Sequence, residues 1–75
     1  MNEWQNETLV AIESQRNGKY KVLELPARQT DVLTSRRSFK DHEQAETYID
    51  DQYPTAMSVQ IEDIQEEKSR RQAIQ

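Results

Sequence analysis

Cysteine is absent from this 75-residue chain. That excludes disulfide staples, thiolate metal sites and a cysteine nucleophile, and it suits a reducing compartment. Glycine occurs once, at Gly18, so no glycine-rich loop can wrap a nucleotide phosphate. The longest apolar run is Leu9 to Ile12, far below the roughly 20 residues that a membrane-spanning helix needs. The opening residues, Met1 to Glu7, are polar and acidic where a secretory signal would be basic and then apolar. These absences predict a soluble, cytoplasmic chain with no membrane partner. Apolar residues make up 33% and charged residues 32%, close to the limit at which burial offsets the entropy of ordering. A chain of this size supports one core, so we expect a single small domain whose ends are mobile.

Charge is present but unevenly divided. Seven of the ten basic side chains lie between Arg16 and Lys40, a stretch with only two acids, Glu24 and Asp31. Residues 1–15 carry three acids and no base, and residues 41–75 carry nine acids against Lys68, Arg70 and Arg71. The net charge of -4 therefore hides a basic middle.

Arg16-Asn17-Gly18-Lys19 sits between two alternating runs, and Asn-Gly suits the positive φ angles of a type I′ hairpin turn. Counting outward from that turn pairs Ile12 with Leu23 and Val10 with Leu25. One face then holds Val10, Ile12, Leu23 and Leu25, and the outward face holds Ala11, Glu13, Tyr20, Val22 and Glu24. Pro26 closes the second strand. A third strand is expected over Val32 to Arg37, with Leu33 and Phe39 as its buried side chains. Asp41 caps a helix with Gln44 in the capping-box position, Ala45, Tyr48 and Ile49 form its inner face, and Tyr53-Pro54 stops it. Met57, Val59 and Ile61 then alternate as a last strand, which a right-handed crossover places parallel to the first or the third, with a place beside the first preferred.

The expected fold is α+β: a small antiparallel meander in the order β-β-β-α-β, with one helix packed on one face. Residues 1–7 read as a flexible N-terminus, residues 8–62 as the domain, and residues 63–75 as a charged tail, partly helical or disordered. No apolar residue occurs from Gln65 through Gln72 to dock that tail. Its other reading is a segment that folds on a partner through Ile64 and Ile74.

Chemistry-bearing residues are few. The single histidine, His42, falls in the exposed first turn of the helix. Glu43, Glu46, Asp50 and Asp51 share a convex, solvated helix face without the varied oxygen donors of a calcium loop. No catalytic, cofactor-binding or metal-ligating residue is assigned. The meander instead brings Arg16, Lys19, Tyr20, Lys21, Arg36, Arg37 and Lys40 to the hairpin tip and the helix N-terminus, a candidate anion or nucleic-acid site with Arg28 alone at the far end. The plain alternative is that these bases serve solubility and guard a sheet edge.

Asn17-Gly18-Lys19-Tyr20-Lys21, a third strand, and Ser38-Phe39-Lys40 leading into Gln44-Ala45-Glu46 resemble the three-stranded-sheet DNA-binding domains at the amino end of phage-type integrases. The resemblance covers residues 8 to 52. It implies a sheet that enters the major groove through Arg16, Lys19, Tyr20, Lys21 and Arg36. Against it stand the sequence pI near 4.9 and a single outward aromatic on the hairpin. The first reading is therefore a non-catalytic binding or regulatory module with a protein partner, a second copy of itself included. DNA or RNA binding is the second reading, and an acidic helix face engaging a basic partner is the third.

Overall fold

Six elements occur in the order β1 (Leu9–Ser14), β2 (Tyr20–Leu25), β3 (Leu33–Thr34), α1 (His42–Gln52), β4 (Met57–Ser58) and α2 (Ile61–Ile74). The computed structural model describes residues 4–74, the side chain of Ile74 excepted. The strands form one sheet in the order β3-β2-β1-β4. β4 runs parallel to β1, as the crossover predicts, with the Met57 and Val59 amides donating to Thr8 and Val10 carbonyls at 2.9 Å. The architecture is α+β, a mixed sheet carrying two helices.

The hairpin forms, but its register is one residue away from that of a type I′ turn. Ile12 lies opposite Val22, and Ser14 opposite Tyr20. Gly18 donates to the Gln15 carbonyl at 3.1 Å, Gln15 donates to the Lys19 carbonyl at 2.8 Å, and Gly18 alone in the loop has a positive φ, 80°. The connection is thus a three-residue loop, Arg16-Asn17-Gly18, in which a type I turn is followed by a glycine bulge. The Asn17 side chain braces it by accepting from the Lys19 amide at 3.0 Å. No atom crowds the position a Cβ would take at Gly18, so only backbone strain opposes a side chain there. Gly18→Ala is expected to lower stability by roughly 1–2 kcal/mol, and Gly18→Asn by less, in urea unfolding followed by circular dichroism.

The register shift re-sorts the core. Leu9, Ala11, Leu23 and Leu25 share one face of the sheet and pack with Ile64 of α2, while Val10 and Val22 share the other with Phe39 and with Ala45 and Ile49 of α1. The sheet is therefore covered on both faces, not on one. Residues 61–74 are not a tail: α2 lies across β1 and β2 through Ile61 and Ile64, and its buried stripe continues through Glu67 and Arg71.

Arg71 explains how so polar a helix docks. All five guanidinium N–H groups are engaged: Nε donates to Glu67 Oε2 at 2.8 Å, Nη1 to the carbonyls of Pro26 at 2.6 Å and Gln29 at 3.0 Å, and Nη2 to those of Trp4 and Glu7 at 2.8 Å each. The acceptors belong to two turns, Trp4–Glu7 and Pro26–Gln29, so one side chain staples both to α2. Trp4 packs on the α2-side core. The turn at residues 4–7 replaces the flexible segment expected there, and residues 1–3 of that expectation lie outside the described ones.

α1 follows its sequence signals. Asp41 accepts from the Gln44 amide at 2.8 Å, Ala45 and Ile49 are buried, and Tyr53 closes the helix. Tyr53 also donates to Glu24 at 3.2 Å, tying the helix end to β2. Burial, helped by the Glu24 charge, pushes the phenol up to about 12, which keeps it a neutral donor. β3 is shorter than expected, since the chain bends at Arg36 and Arg37, and Leu33 is 52% exposed where the sequence argued for burial. Neither helix reaches β3 among the described residues, which leaves that side chain half exposed.

Candidate basic interface

The basic residues of the middle segment are assembled by two local structures. The loop at Arg16 to Gly18 ends the hairpin, and a bridge between Tyr20 and Phe39 returns the chain to it, with amide-to-carbonyl bonds of 2.9 and 2.8 Å. That bridge sets Lys40 beside Lys19. Ser35 supports it from behind, accepting from the Val22 amide at 3.0 Å through its hydroxyl, which donates to the Arg37 carbonyl at 2.8 Å.

Arg16, Lys19, Arg36, Arg37 and Lys40 are exposed there, and Lys21 is half-buried. The Arg37 guanidinium lies 5.2 Å from the Phe39 ring centroid, a cation–π contact that holds it on the α1 side. Lys21 shares the parity of Leu23 and Leu25 and so belongs to the α2 side, opposite Glu13. The cluster thus wraps one end of the sheet. Arg28 stands at the other end, as expected, at a positive φ of 63° with its Nε on Asn6 at 2.8 Å.

Ion pairing elsewhere leaves this end unneutralised. The pairs among the described residues are His42 with Glu46, Arg70 with Glu66 and Glu67, and Arg71 with Glu67. None involves the six bases of the cluster.

Two parts of the expected site are arranged differently. Tyr20 does not face outward: it is half-buried in the α1-side core, edge-on to the His42 ring at a centroid distance of 5.7 Å. The helix N-terminus carries its own anion, since the Asp41 carboxylate already accepts from the first turn. It therefore offers little to an external one.

The face that a three-stranded DNA-binding sheet would insert into the major groove is occupied. α1 covers one side of β1 and β2, and α2 covers the other. Among the described residues, the basic end of the sheet, its two edges and the outer strand β3, which neither helix reaches, are open.

A groove of about 650 Å³ runs beside α1, lined by Arg37, Phe39, Tyr48, Asp41, Glu43 and Asp51 among others. It is an exposed trough where the basic end meets the acidic helix. His42 is exposed and lies 3.1 Å from Glu46. No three His, Asp or Glu side chains among the described residues converge as a metal site would require, and no helix is long and apolar enough to cross a membrane. No family model, curated protein or solved structure matches this chain.

Proposed function

We propose that the chain is a small non-catalytic binding module that docks an acidic segment of a partner protein at the basic end of its sheet. One observation carries this: Arg16, Lys19, Lys21, Arg36, Arg37 and Lys40 gather at one end, and none forms an ion pair among the described residues. Like charges held together raise the local potential, and a polyanion relieves it. An extended acidic peptide can follow a cluster that wraps an edge. A duplex laid against the sheet, as the integrase resemblance implies, needs a broad face, and both faces of β1 and β2 are covered. Tyr20, packed beneath His42, is also withheld from base stacking.

The test is an NMR titration of the labelled domain at low salt with a twelve-residue Glu/Asp peptide and, separately, a short DNA duplex and a twelve-residue lysine peptide. The peptide is expected to shift the amides of residues 16–21 and 36–40 and to lose its effect as salt rises. The double variant Arg36→Glu/Arg37→Glu is expected to weaken binding at least tenfold while the domain stays folded. Shifts with duplex at lower concentration than with peptide would transfer the assignment to nucleic acid. Shifts confined to Glu43, Glu46, Asp50 and Asp51 with a lysine peptide would transfer it to the acidic helix. Silence toward all three ligands would end the proposal.

A further inference from the structure

We infer that the outer edge of β3 pairs with the same edge of a second copy, antiparallel and centred on Thr34, joining two four-stranded sheets into one. The ladder defines which residue is free to do so. Ser35 donates inward to Val22 at 2.8 Å, and Leu33 lies opposite Glu24, so the intervening Thr34 turns its N–H and C=O away from β2. β3 is the end of the sheet order, and no strand among the described residues lies beyond it. Beside Thr34 stands Leu33, the large apolar side chain left exposed among the described residues.

The chemistry along this edge identifies the occupant as a second copy. From Asp31 through Leu33 to Arg36 and Arg37, the order is acid, apolar, base, and reversing that order gives its own complement. Two-fold pairing through Thr34 brings Asp31 of each copy toward the bend at Arg36 and Arg37 of the other, and the symmetry makes this approach twice. It sets Leu33 opposite Ser35, with the two leucines diagonal neighbours on the α1 side and within reach of each other. Parallel alignment would instead stack arginine on arginine. The antiparallel arrangement also sends the two basic ends to opposite ends of the joined sheet, so they do not repel at the contact. A two-residue strand makes a small interface, and the dimer is accordingly weak and concentration-dependent.

Sedimentation of the full chain at low salt, from micromolar to millimolar concentration, tests this directly. The average mass is expected to rise from 8.9 kDa toward twice that value. Asp31→Arg and Arg37→Asp should each weaken the dimer roughly tenfold, because each places like charges together at two symmetric contacts. The double variant Asp31→Arg/Arg37→Asp should restore it. Thr34→Pro removes an N–H that the native ladder does not use, so the fold should persist while pairing is lost. A mass fixed at the monomer value would overturn the inference, and so would a dimer indifferent to Thr34→Pro or a charge swap that fails to rescue. The inference stands apart from the basic-end reading, since Thr34→Pro leaves every base of that cluster in place.

Discussion

Replacing Arg71 with leucine is expected to cost roughly 3–5 kcal/mol, the range for breaking a buried ion pair from one side. Arg71 is only 2% exposed, and its loss removes the bond to the buried Glu67 carboxylate and strands the four backbone carbonyls that it serves. A domain of this length has a total stability of roughly 4–11 kcal/mol, so the variant should be largely unfolded or very close to it. The lowered midpoint of urea unfolding measures the effect. Arg71→Lys should rescue little, because an ammonium offers three donors from a point where the guanidinium offers five in a fixed fork. Glu67→Leu combined with Arg71→Met should cost less than Arg71→Leu alone, since removing both charges leaves neither buried without a partner. Equal stability of Arg71→Leu and the native chain would show that the staple is ornamental.

Phe39→Ala is expected to cost roughly 3–5 kcal/mol through the cavity it leaves. Phe39 is buried among Val10, Val22, Ala45 and Ile49, and its ring lies 5.0 Å from that of Tyr48. Leu33→Ala, at a position that alternation places on the same face as Phe39, should change stability by no more than about 0.5 kcal/mol, because that side chain is already half in solvent. Thermal unfolding of the pair separates these outcomes plainly. Phe39 also bears on the proposed function, since the bridge it makes with Tyr20 is what sets Lys40 beside Lys19. The milder Phe39→Leu should leave the domain folded yet weaken acidic-peptide binding. Unchanged affinity in a demonstrably loosened variant would mean that the cluster acts without being held in place.

The parts legible in the sequence are those decided by local chemistry. The Asp41 cap, the Gln44 partner and the Tyr53-Pro54 stop place α1 because each acts within one helical turn. The parallel sense of β4 follows from the crossover rule, which leaves β1 or β3 as its neighbour; the structure sets it on β1. The hairpin register was not legible, and the reason is physical. Alternation reports register only when one face of a strand is buried, whereas Leu9-Val10-Ala11-Ile12 is apolar on both sides because the sheet is covered on both. Asn-Gly serves a type I′ turn or the end of a bulged three-residue loop, and it does not choose between them. The helical character of α2 was legible, but its docking was not, because its inner stripe is charged. Glu67 and Arg71 at i, i+4 look like a solvated surface pair, and their burial depends on carbonyls supplied by distant turns. A sign was present even so: Ile61, Ile64, Glu67, Lys68 and Arg71 recur at helical spacing on one side. The basic end was legible because strand order alone brings its residues together. The loss of Tyr20 to the core was not, since it hangs on the register.

The arginine staple joins positions 67 and 64 residues apart, Arg71 with Trp4 and with Glu7. Closing so long a stretch of chain is entropically slow and is rewarded only when α2 is already seated. The first turn and the last helix of the domain therefore open as one event: amides around Glu7 and along α2 should exchange hydrogen with a shared opening free energy, and a disturbance at either end of the chain is felt at the other.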